Sequence, residues 1–376
     1  MPTRVIVSSG GVFHSHHLAQ AAHQAGVLHR FISGVRLKGE KHIPAEKWET
    51  VRIIGYLAQL SSYLPSDVTR AYSYMLIDRL YDQLASRWVT DCDIFHYFNH
   101  QGLYSARKAK KFGALTICER CSAHPIEQHA ILSAEYQRWG LRYPQAYQQL
   151  HERHLQEYAE ADYVMVCSDF VRRSMQANGV PAHKLLQTHL GFEPTRFFPA
   201  QKEDDVFRVV YAGGISLQKG IPYLLSAFRN LNLPNSELVL VGSPYPEAQV
   251  FLKPYAGLYK QVDFVPNAEL GKFFQQASVF VFPSLQDGFG MVVYEAAACG
   301  IPVIISDHTG ADIRDGVDGF VTAVRDVPAL QEKLAWLYHH PNERVQMGQN
   351  AHQWVQQFTW EHYAQEVRQH YATLHA

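Results

Sequence analysis

The chain has 376 residues, 47% apolar and 18% charged, with a formal net charge of −1. It is long enough for two cores and has no global field that would hold nucleic acid. Its five cysteines, an odd number, suggest a reducing, cytoplasmic setting, and the lack of a run of about 18 apolar residues excludes a spanning helix.

The N-terminal MPTRVIVSSGG reads as a short strand and glycine turn, not a signal peptide. Its strand (residues 4–9) leads through Gly10-Gly11 into a helix ending at Gly26. Further strands are expected near Phe31, at 94–98, at 114–118 and at 162–168, with a long helical stretch over 126–160. Ser168 caps a helix that stops at Gly179. Residues 191–205, rich in proline and charge, read as a linker. The pattern then restarts with FRVVYAGG at 207–214, followed by alternating helices and strands. Such alternation predicts doubly wound parallel sheets. We expect a first domain over 1–190, a second over 191–356, and a last helix within 357–376 that crosses back to the first.

The segment PSLQDGFGMVVYEAAACGIPVI, residues 283–304, carries the most information. An apolar strand runs into a glycine-rich loop, then a helix, then a second buried strand. Asp287 lies on the loop, and Glu295 lies about one turn into the helix. Gly288 and Gly290 flank Phe289, so backbone there can approach a ligand closely. The helix start offers free amides and a positive dipole end. Open α/β sheets bind ligands at such strand ends.

This stretch resembles the donor-site signature of family-4 retaining glycosyltransferases of GT-B fold. Asp287 stands where that family has its first Glu, and Glu295 is the second. The likeness extends to ADYVMVCSDFVRRSMQANGV and to LGFEPTRFFP, where Leu190 and Glu193 replace an Asn and an Asp. It also covers VVYAGGISLQKGIPYLL, a glycine-rich turn with Lys219. The resemblance implies two Rossmann-like domains facing each other across a cleft. It implies sugar transfer from a nucleotide diphosphate sugar, as co-substrate, to a glycan, lipid-linked or small-molecule acceptor. A non-catalytic or epimerase-type GT-B protein is the alternative.

The family's residue roles carry over as follows. Lys219 contacts the diphosphate, with Gly213 and Gly214 in the turn before it; Gly214 stands where the family has an Arg, whose charge would come from Arg172 or Arg173. Glu295 accepts from the ribose hydroxyls, Asp287 contacts the donor sugar, and backbone near Val265 contacts the base. Gly10 and Gly11 lie against the donor phosphate and the acceptor. A residue of ICERCSAHP, either Glu119, Arg120 or His124, faces the reacting carbon.

No metal is expected. Lys219 and helix dipoles neutralise phosphate, and no Asp, Glu or Cys has ligand spacing beside His14, His16 and His17. Cys118 and Cys121 form a CxxC without a second pair, which does not point to structural zinc. Residues 35–47 carry five basic residues that suit a peripheral membrane contact with anionic lipid, or a charged acceptor; Glu40 and Glu46 favour a plain solvated loop.

Overall fold

The computed structural model describes residues 3–37, 39–64, 67–144 and 146–375. Short β-branched and aromatic runs become strands, and the polar-faced segments after them become helices. The first set of strands is β1 (Val5–Ser9), β2 (Leu28–Ser33), β3 (Trp48–Thr50), β4 (Ile94–Phe98), β5 (Leu115–Arg120), β6 (Tyr163–Val166) and β7 (Leu185–Gln187). They pair in the order β3-β2-β1-β4-β5-β6-β7. Helices α1 (Ser15–Gln24), α2 (Ile53–Ser62), α3 (Asp67–Ala85), α4 (Leu103–Lys110), α5 (Pro125–Arg138), α6 (Ala146–Glu160) and α7 (Asp169–Ala177) lie between them in sequence. The hydroxyl of Ser168 accepts the Val171 amide at 3.2 Å and caps α7 as expected.

The second set is β8 (Phe207–Ala212), β9 (Ser236–Val241), β10 (Tyr259–Val262), β11 (Val279–Phe282), β12 (Val303–Ser306) and β13 (Gly319–Thr322), in the order β10-β9-β8-β11-β12-β13. Its helices are α8 (Ile221–Leu231), α9 (Ala248–Leu252), α10 (Asn267–Gln275), α11 (Met291–Ala298), α12 (Val327–His339) and α13 (Pro341–Val355). The last helix is α14 (Trp360–His375). The described pairings in both sheets are parallel. Central strands β1, β4, β11 and β12 are buried along their whole length, as sheets covered on both faces require.

The chain divides into two compact units. One comprises Met1–His129, Tyr143–His189 and Trp360–Ala376; the other comprises Ala130–Arg142 and Leu190–Thr359. Within the first, α14 lies against α1, where the rings of His17 and Trp360 stack at 3.7 Å. The Tyr371 hydroxyl also reaches His96 Nδ1 at 2.8 Å.

Two features differ from the sequence expectation. Residues 130–142, expected in the first domain, belong to the second unit. Glu135, fully buried, accepts there from the Tyr223 hydroxyl at 2.6 Å and from Arg325 Nε at 2.7 Å, and Trp139 packs on Phe251. The sequence reading also passed over β3, β7 and β13. These strands of three or four residues are too short and too partly exposed to show a period.

Candidate functional site

Strand order reverses between β8 and β11 in the second unit, so their carboxyl ends open a crevice. A cavity of about 540 Å³ lies there. Its lining includes Gly213, Gly214, Lys219, Val265, Asp287, Gly290 and Glu295, seven of the residues expected from the sequence.

Each is placed by local chain geometry. Gly213 follows β8 with φ +140°, a conformation closed to other residues, and a Cβ there would meet the Tyr211 hydroxyl at 2.8 Å. Gly290, at φ +69°, is the N-cap of α11, and a Cβ there would press on Thr309. Lys219 sits one residue before the N-cap of α8 and is about one-fifth exposed. Its ammonium lies 5.0 Å over the Phe282 ring and forms an ion pair with Asp287 Oδ2.

Asp287 is already engaged by the loop it sits on. Its Oδ1 accepts the amides of Gly290 at 2.8 Å and Phe289 at 3.2 Å. The amides expected to face a ligand are therefore partly taken by this acid. Glu295 is buried, and its Oε1 accepts from Asn267 Nδ2 at 3.2 Å. Burial raises its pKa to about 7, with the Asn267 hydrogen bond pulling the other way.

Two expected contacts fall outside the cavity lining. The Phe289 side chain turns into the core and stacks on Tyr294 at 4.6 Å, and Gly288 is buried beside it. The glycines flanking Phe289 are expected to let backbone there approach a ligand, but the Phe289 ring takes the apolar side of the loop and only Gly290 reaches the cavity lining. The sequence reading also missed Gly242, Ser243, Tyr245 and Asn267 in the lining. Gly242 directly follows β9, so its place at a strand end was a usable signal.

The remaining candidates lie in the first unit. The Gly10 amide donates to Gln101 Oε1 at 2.7 Å, and the Gly11 carbonyl accepts from Ser9 Oγ at 3.0 Å, so both loop glycines are tied locally. Arg172 pairs with Asp169 on its own helix. Arg120 holds its own loop, donating to Ala123 O at 2.8 Å and Gln128 Oε1 at 2.7 Å. His124 is buried just before α5, and its amide donates to Ser174 Oγ at 2.8 Å. Burial, aided by Arg120, lowers its pKa to about 4, which leaves it neutral. Of the basic residues in 35–47, Arg36 stacks over Trp48, Lys47 donates to Leu28 O, and Lys38 lies outside the described residues.

Glu119, at the end of β5, is 1% exposed and pairs with His14 Nε2. Burial opposes both charges, yet the mutual attraction raises the His14 pKa and lowers that of Glu119. Cys121 Sγ lies 4.0 Å from both. The expectation that no acid or thiol accompanies His14 is thus corrected. The partners arrive from β5, more than a hundred residues away, where spacing cannot register them. His17 is set apart from this group by its stacking on Trp360, and burial lowers its pKa to about 3.

With this geometry in view, known proteins are informative. Residues 193–354 match the family of glycosyl transferases group 1. This group 1 region contains the whole cavity lining. The chain is 32% identical over 174 residues to the capsular polysaccharide biosynthesis glycosyltransferase CapM of Staphylococcus aureus, covering 42% of this chain and 45% of CapM. It spans about half the length of the first curated relatives it matches. Sucrose-phosphate synthase of Thermosynechococcus elongatus superposes with a TM-score of 0.72 at 19% identity over 99% of both chains. HepE of Anabaena, solved in complex with UDP, gives 0.69 at 16% identity over 99% of this chain and 100% of its own. These likenesses identify the fold as GT-B, two parallel-sheet Rossmann-like domains.

Proposed function

We propose that this chain moves a sugar from a nucleoside diphosphate sugar to a glycan, lipid-linked or small-molecule acceptor, with retention at the anomeric carbon. The observation that carries this reading is the meeting of Lys219 and Glu295 in one cavity at the strand-order reversal of the group 1 region. HepE, of the same fold, has been solved with UDP and with UDP-glucose, which supports a nucleotide ligand.

In this reading Glu295 accepts hydrogen bonds from the ribose hydroxyls, and backbone at Val265 meets the base. Lys219 stabilises the diphosphate as negative charge develops on the leaving group, an electrostatic and positioning role. Asp287 holds the loop amides in place and, through its pairing with Lys219, sets where the sugar-phosphate bond lies. No protein nucleophile is assigned, and no divalent cation is assigned to the donor cavity. The work is cytoplasmic in this proposal, with the basic stretch 35–47 as the candidate membrane-facing segment.

A panel of nucleotide sugars, screened for protection against thermal unfolding and then incubated with candidate acceptors, tests the reading. Release of nucleoside diphosphate with an axial or equatorial linkage matching the donor, seen by NMR, is the expected outcome. Interconversion of the free nucleotide sugar without transfer would instead support an epimerase.

A further inference from the structure

The first unit contains a side-chain cluster to which the proposed function assigns no role, although one member, Glu119, was among the candidates expected to face the reacting carbon. His14 Nε2, a Glu119 carboxylate oxygen and Cys121 Sγ all lie within 4.8 Å of one another. His14 is the N-cap of α1, Glu119 is the penultimate residue of β5 and Cys121 lies just past that strand's last residue, Arg120, so two of the three are held by the sheet and the turn after it. Behind them, His96 on β4 places Nε2 3.3 Å from the second Glu119 oxygen, while its Nδ1 is fixed by Tyr371. Glu119 Oε2 and His96 Nε2 are fully buried and meet no hydrogen-bond partner beyond this 3.3 Å ion contact, and the Tyr363 hydroxyl is buried without one among the described residues.

We propose that His14, Glu119 and Cys121 bind one zinc-class divalent cation, with the fourth position open to water. The donor set decides the class. Imidazole, thiolate and carboxylate together suit zinc, whereas magnesium and calcium take oxygen alone. Ligand atoms of such an ion stand about 3.3–3.8 Å apart, and the Cys121 contacts at 4.0 Å are close to that. His14 and Glu119 now meet directly through a proton, and the ion takes that proton's place. A carboxylate and a thiolate neutralise the two charges of the ion, so the buried site carries no net charge. His96 orients the carboxylate from behind, as partners of metal ligands commonly do.

Cobalt substitution tests this in the intact 376-residue chain. Metal-stripped protein titrated with Co²⁺ alone is expected to show a thiolate charge-transfer band and visible d–d bands that saturate at one ion per chain. Zn²⁺ is expected to abolish both and raise the unfolding temperature. Cys121→Ser is expected to remove the charge-transfer band. His96→Gln, which keeps all three ligands, is expected to weaken Co²⁺ binding by about 10- to 100-fold and serves if Cys121→Ser does not fold. His16→Ala, outside the cluster, is expected to leave the spectrum unchanged. Absence of a visible band at one equivalent, or a charge-transfer band that survives in folded Cys121→Ser, overturns the proposal.

Discussion

Lys219 and Asp287, separated by 68 positions in sequence, form an ion pair in the wall of the second unit's cavity. The cation assigned to the diphosphate is thereby held by the acid assigned to the sugar. In the proposed reading, a diphosphate that reaches Lys219 competes with this carboxylate, so the pair would tune nucleotide affinity as well as position.

Removal of Asp287's charge should therefore favour the bare nucleotide. Asp287→Asn keeps the Oδ1 acceptor for the Phe289 and Gly290 amides, so the loop persists. It frees Lys219 from a partly exposed pair worth about 0.5–1 kcal/mol. Calorimetry should show nucleoside diphosphate binding roughly two- to fivefold tighter, with sugar transfer reduced. Unchanged or weaker nucleotide binding would contradict the competition.

Lys219→Ala acts in the opposite sense. A charge-assisted hydrogen bond to the diphosphate contributes roughly 1.5–3 kcal/mol, so kcat should fall about ten- to a hundredfold. The side chain is at a cavity wall, so the unfolding midpoint should move little. Steady-state kinetics and denaturant titration measure the two separately.

Glu295 predicts a pH dependence. Its folded pKa of about 7 lies above the usual carboxylate value, so the native chain holds a proton that the unfolded chain has lost. Its contribution to stability is fully present below the unfolded pKa and is lost as pH rises through about 7. Ribose hydroxyls, by contrast, need the ionised form as acceptor. Nucleotide affinity should therefore rise as pH passes through about 7 and then level. Glu295→Gln should flatten that profile, weaken the nucleotide about ten- to a hundredfold, and raise the unfolding temperature at pH 8. A pH-independent affinity in the native chain would remove the ribose assignment.

The second unit's cavity has a cation of its own in Lys219, so in the proposed reading nucleotide binding there should not require a divalent ion. Nucleoside diphosphate affinity should agree within about twofold in magnesium and in EDTA. A large gain with magnesium or manganese would mean that Asp287 or Glu295 binds metal with the phosphates.

Glu135 gives a prediction about stability alone. It is fully buried and held by Tyr223 and Arg325. Arg325→Ala leaves the buried carboxylate without its ion partner, held only by hydrogen bonds from Tyr223 and Trp139, and should cost about 3 kcal/mol. The accompanying shift in urea midpoint should be recovered in large part by adding Glu135→Gln, because the stranded charge is then gone.

The sequence by itself determined the alternation of strands and helices, the two sheets and the cavity residues Lys219, Val265 and Glu295. These depend on local period, glycine turns and a motif carried on one continuous strand–loop–helix, where neighbours in sequence are neighbours in space. The tertiary structure alone decided the rest. It turned Phe289 inward onto Tyr294 and drew Lys219 to Asp287. It assigned residues 130–142 to the second unit through Glu135. It also brought Glu119 and Cys121 to His14 from a different strand. Apart from Phe289 and Tyr294, five positions apart, these are meetings of side chains far apart in sequence, set by how strands pair and helices pack, and spacing along the chain holds no record of them.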